Sequence, residues 1–69
     1  MPDNFLRRWV AANAEPVPAQ DRHDRVAIWA AFCVTDAMLN GFSPDDIAKA
    51  AGGDVRTYLR KAADDAAES

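Results

Sequence analysis

The nine residues from Val26 to Val34, Val-Ala-Ile-Trp-Ala-Ala-Phe-Cys-Val, carry no charge. Wound into a helix, they are apolar on every side, and such a helix has to be covered on more than one face. Arg25 and Asp36 flank the run. It is far too short to cross a membrane, which takes about 20 apolar residues. Two arrangements satisfy it. The run is the middle of a central core helix wrapped by the rest of the chain, or it also keeps one side for a dimer seam.

The rest of the chain is small for that task. With 69 residues it forms a single domain, residues 1–69, and a chain of this size buries only ~60% of the surface that its unfolded form exposes. Yet 49% of its residues are hydrophobic, too many for a disordered segment. A modest core with a large apolar content points to burial against a second copy or a partner. The amino terminus, Met-Pro-Asp-Asn, lacks the basic start and apolar run of a signal peptide. The single cysteine, Cys33, excludes an internal disulfide and fits a reducing cytoplasm.

Proline and glycine divide the chain into four helices, and no strand-like alternation occurs. The first is expected over about 3–14, capped by Asp3, with Phe5, Leu6, Trp9 and Val10 at helical spacing. Pro16-Val17-Pro18 ends it. The second, about 20–39, takes Asp21 as its cap and Asn40-Gly41 as its stop. The third, about 43–51, has Ser at N-cap, Pro at N1 and Asp46 at N3, close to a capping box. It stops at Gly52-Gly53. The fourth, about 54–66, opens at Asp54, and its helical phase puts Val55, Tyr58, Leu59, Ala62 and Ala66 on one face. Arg56, Arg60 and Ala63 lie beside that face. The fold class is all-α.

Residues 42–61, Phe-Ser-Pro-Asp-Asp-Ile-Ala-Lys-Ala-Ala-Gly-Gly-Asp-Val-Arg-Thr-Tyr-Leu-Arg-Lys, resemble the helix-turn-helix of bacterial transcription regulators of the LuxR and TetR types. The shared parts are the Gly41-Phe42-Ser43 lead-in, Ile47-Ala48, Gly52 four residues later, Asp54 as a cap and Thr57. A small residue at Ala48 lets two helices approach, and Gly52 takes a left-handed turn conformation. The resemblance implies a helix-turn-helix over 43–63 whose second helix enters a major groove of double-stranded DNA. One position departs from the pattern: Gly53 stands where a branched apolar residue is usual, which would shift the turn by one residue. Under the resemblance, Arg56 and Arg60 read bases, Arg56 by a bidentate contact to guanine. Thr57, Lys49, Lys61 and the amide end at Ser43 hold phosphates. The competing reading makes Arg56 and Arg60 a solvated face, with Asp64 pairing Arg60 at i,i+4.

Charge bears on this. The net charge is −3, unfavourable for phosphate binding taken as a total. Residues 43–61 nevertheless sum to +1, and the acidity gathers at 62–69, expected as a mobile tail. Trp9, Ile28, Trp29 and Phe32 are the candidate dimer or partner interface. A homodimer reading two half-sites is expected, because one small module offers few phosphate contacts. The alternative function is a protein-binding adaptor or inhibitor. No catalytic residue, metal ligand or cofactor site is expected. His23 is the sole histidine, Cys33 has no partner base, Ser43 is explained by capping, and no phosphate loop accompanies Gly52-Gly53.

Overall fold

Four α-helices carry the chain in the computed structural model, which describes residues 1–68. They are α1 (Pro2–Asn13), α2 (Arg22–Leu39), α3 (Pro44–Ala50) and α4 (Val55–Glu68), with a 3-10 turn at Ala19–Asp21 before α2. No strand occurs among the described residues, and the all-α expectation holds. No single helix among them is long and apolar enough to cross a membrane.

One stripe of α2, formed by Val26, Trp29, Cys33 and Ala37, is buried. These residues recur at i, i+3, i+7 and i+11, the spacing of one helical face. Helices α1, α3 and α4 all pack against α2, and α3 also packs against α1. Phe5, Leu6 and Trp9 come from α1, Ile47 from α3, and Val55, Leu59 and Ala63 from α4. Leu6, Cys33, Ile47 and Leu59 are the largest fully enclosed side chains. Val17 of the connecting segment joins this core, and Arg22 Nε donates to its carbonyl at 2.9 Å. The Trp9 indole Nε1 donates to Asp36 Oδ2 at 2.8 Å, fastening α1 to α2. α2 is not wrapped all round, however. Ile28, Phe32, Met38 and Leu39 remain exposed.

Both glycine turns have the same hydrogen-bond pattern. After α2, Phe42 N–H reaches the Ala37 carbonyl at 3.0 Å and Gly41 N–H reaches that of Met38 at 3.1 Å. After α3, Gly53 N–H reaches the Ala48 carbonyl at 2.7 Å and Gly52 N–H that of Lys49 at 3.1 Å. These paired 6→1 and 5→2 bonds are Schellman motifs, which satisfy the free carbonyls of a helix end. They need a left-handed residue, supplied by Gly41 at φ +89° and Gly52 at φ +84°. Gly53 sits at φ +118°, also outside the range of ordinary side chains. A branched apolar residue therefore does not fit at Gly53 in this turn, which explains the departure seen in the sequence.

Three departures from the sequence reading at helix ends have a physical cause. α1 begins one residue earlier, because Pro2 occupies N1, where a missing N–H is harmless. Met1 is the N-cap and Asp3 lies in the first turn. Asp21 precedes α2, but the 3-10 turn holds its backbone at φ −102°, ψ −8°, and its side chain makes no cap bond. A capping side chain needs a more extended backbone to reach the N2 or N3 amide. The acidic end is helical to Glu68, so the described part is not a loose tail.

The turn and the core each give a testable outcome. A Cβ at Gly52 would meet no atom within 4 Å, so Gly52→Ala isolates the backbone term and should lower unfolding free energy by about 1–2 kcal/mol in urea titration. The Cys33 thiol is fully enclosed, and burial, aided by the charge of Asp36, pushes its pKa up to about 11. Since the thiolate is the nucleophile, native protein at mildly alkaline pH should resist alkylation, and denaturant should restore the thiol's full reactivity.

Candidate nucleic-acid interface

Helix α4 separates its two faces by sequence. Val55, Leu59 and Ala63 are buried, with Tyr58, Ala62 and Ala66 half-buried beside them. Ala63, set to one side in the sequence reading, is fully enclosed. The core face is thus centred one position further round. Arg56, Thr57, Arg60 and Lys61 occupy the opposite, exposed face.

The start of α4 is fixed by Asp54. Its Oδ1 accepts from Arg56 N–H at 2.9 Å, and its Oδ2 accepts from the Thr57 hydroxyl at 3.2 Å. Asp54 thereby fills the capping role expected of it and holds Thr57 against the first turn. Arg56, Thr57, Arg60 and Lys61 line one groove of about 450 Å³ between α4 and the amino-terminal part of α2. His23, Val26, Ala27 and Asp64 complete its lining. His23 is the residue that sequence reasoning missed here. Nothing in its local sequence signals that α2 and α4 lie side by side.

Asp64 modifies the charge of this face. Its Oδ1 lies 3.3 Å from Arg60 Nε and 3.2 Å from Arg22 Nη1. The i,i+4 pair with Arg60 foreseen in the sequence is present, and Arg22 adds a second cation from α2. Both ion pairs are partly exposed, a setting in which such a pair stabilises by at most about 1 kcal/mol.

Ser43 caps α3 and Lys49 lies on it, and neither lines the groove. Ser43 makes a full capping box. Its hydroxyl accepts from Asp46 N–H at 3.1 Å, and its own N–H donates to Asp46 Oδ2 at 3.1 Å. Asp45 and Asp46 place two carboxylates in that first turn. These two carboxylates beside the box weaken the pull of this end of α3 on a phosphate. Lys49 is exposed in the last turn of α3.

The four residues considered for an interface separate into two pairs. Trp9 and Trp29 are 7% and 6% exposed and belong to the core, while Ile28 and Phe32 are 50% and 58% exposed. The tryptophans are drawn inward because each carries the largest apolar surface on its helix. No group of three or more metal-ligating side chains occurs among the described residues.

The fold is a small all-α domain in which one charged helix face and one apolar helix face reach solvent. Comparison of the chain with protein-family models, with curated proteins and with solved structures returns no match.

The capping box carries a pH-dependent prediction. The Ser43 N–H and hydroxyl hold the Asp46 carboxyl below the usual carboxylate range, with Lys49 adding to the effect. A folded-state pKa below the unfolded one stabilises above the unfolded pKa, and that contribution disappears as pH falls through the folded pKa. The stability gap between the native chain and Asp46→Asn should therefore be widest near neutrality and close in acid, read by urea melts across pH. Ser43→Ala should cost about 1 kcal/mol in the same melts.

Proposed function

We propose that this chain is a small cytoplasmic transcription regulator that binds double-stranded DNA as a homodimer, with α3 and α4 acting as a helix-turn-helix. One observation carries the reading: Arg56, Thr57, Arg60 and Lys61 share one exposed face of a capped helix. Arg56 is the base reader, since its planar guanidinium matches the two acceptors of a guanine edge. Arg60, a base reader in the sequence reading, is held by Asp64 and neutralises a phosphate beside Lys61, with Lys49 on α3 contributing where the backbone passes that helix. Thr57, already bonded to Asp54, supports a phosphate contact near the helix start. The single enclosed thiol suits the reducing compartment in which such regulators work.

Gel-shift titration with duplex DNA across salt concentrations tests this. Binding should weaken steeply with salt, with a log–log slope of roughly −3 per protomer for three or four neutralised phosphates. Arg56→Ala and Arg60→Ala together should abolish it while leaving helicity intact, because both side chains are exposed. Absence of binding to any duplex at low salt overturns the reading and favours the protein-binding adaptor.

A further inference from the structure

Helix α2 leaves one side uncovered, opposite its buried stripe. Ile28, Phe32, Thr35 and Leu39 recur at i, i+4, i+7 and i+11 along it, with Ala31 and Met38 adjoining. Leu39 is 80% exposed, Phe32 58%, Met38 57% and Ile28 50%. Together they form a patch on the order of a few hundred Å², comparable to the largest apolar patch of a typical monomer, which is often functional. Beside the stripe, on the α1 side, runs a groove of about 490 Å³. Trp9 and Trp29 form its floor, Ile28 and Phe32 its near wall, and Arg25 and Asp36 also line it.

Arg25 and Asp36 fix what fits there. They lie on the same edge of the stripe, eleven residues apart, hence about 16 Å along the helix. Arg25 is partly exposed and paired to Glu15 at 3.1 Å, while Asp36 accepts from Trp9 through Oδ2. An edge with a cation near one end and an anion near the other complements its own reverse. A two-fold axis perpendicular to α2 keeps each edge on its own side while reversing its direction, so Arg25 arrives beside the partner's Asp36. A parallel pair puts the two edges on opposite sides and brings no such contact.

We infer that a second copy of this chain covers the stripe, with the two α2 helices antiparallel and the axis passing between Ala30 and Ala31. Ala31, small and exposed, lets the helices approach closely at the axis. At this register Trp29 stands level with the partner's Phe32, whose ring enters the groove over the two tryptophans. Arg25 bridges Glu15 and the partner's Asp36, which gives two such bridges per dimer. This surface is separate from α4, so the inference stands independently of DNA binding.

Sedimentation equilibrium and light scattering on the full chain test it. The native chain should have twice the monomer mass at tens of micromolar. Phe32→Glu should be monomeric with unchanged circular dichroism. Arg25→Glu should raise the dissociation constant at least tenfold, and Arg25→Lys should largely retain assembly. Phe32→Cys should give a disulfide-linked dimer under mild oxidation, native Cys33 being enclosed. Leu39→Cys should not, because its two copies would lie about 25 Å apart along the axis. A monomeric native chain at hundreds of micromolar overturns the inference, as does a dimer that survives Phe32→Glu. Faster cross-linking through Leu39→Cys than through Phe32→Cys overturns the antiparallel register. Phe32→Glu keeps Arg56 and Arg60 in place, so residual low-salt DNA binding by that variant separates failure of the dimer from failure of the DNA reading.

Discussion

Burial of Val26, Trp29, Cys33 and Ala37 against three other helices is the constraint on which the fold depends. α2 is the longest helix, and α1, α3 and α4 all lean on it. Cys33 and Ala37 are fully enclosed, and their small size lets neighbouring helices come near the α2 backbone. Leu6, Ile47 and Leu59, one from each of the other helices, are enclosed in the same core. Each contributes on the order of 2 kcal/mol by leaving water. In a chain with so little interior, losing any of them would remove a large share of the net stability.

The turns then decide how the helices are aimed. The two Schellman turns have the same backbone bonds but differ in the residue next to the left-handed glycine. After α2 it is Phe42, whose ring meets Phe5 of α1 at 5.7 Å between centroids. After α3 it is Gly53, with no side chain to pack. The first joint is thus held by backbone bonds and an aromatic contact. The second relies on backbone bonds and on the core contacts of Val55 and Leu59.

Much of the local chemistry, where a residue acts on its own neighbours, was legible in the sequence. The capping box at Ser43, the stops at Gly41 and Gly52, the Asp54 cap and the Arg60–Asp64 pair all lie within a few residues of their partners. The four helices and their all-α class come from apolar periodicity and breakers. Facts set by long-range packing were hidden. Periodicity placed Trp9 and Trp29 on apolar faces without saying which neighbour would cover them, whereas Asp36, twenty-seven residues from Trp9, supplies the bond that holds one of them. His23 joins the groove, and Arg22 reaches Asp64, only because α2 and α4 pack side by side. Asp21 looked like a cap by residue type, and the 3-10 turn took away the backbone geometry it needed.

Asp64 has a consequence of its own. A single carboxylate oxygen serves Arg60 on the exposed face and Arg22, whose guanidinium also donates through Nε to the Val17 carbonyl. Any anion that settles on Arg60 has to compete with this resident carboxylate. The encounter is then an exchange of one negative partner for another, with a smaller net gain than binding to a bare cation. As Asp64 gives up Arg60, Arg22 becomes its remaining partner in this cluster. Arg22 thereby joins the charge cluster on α4 to the segment that connects α1 to α2.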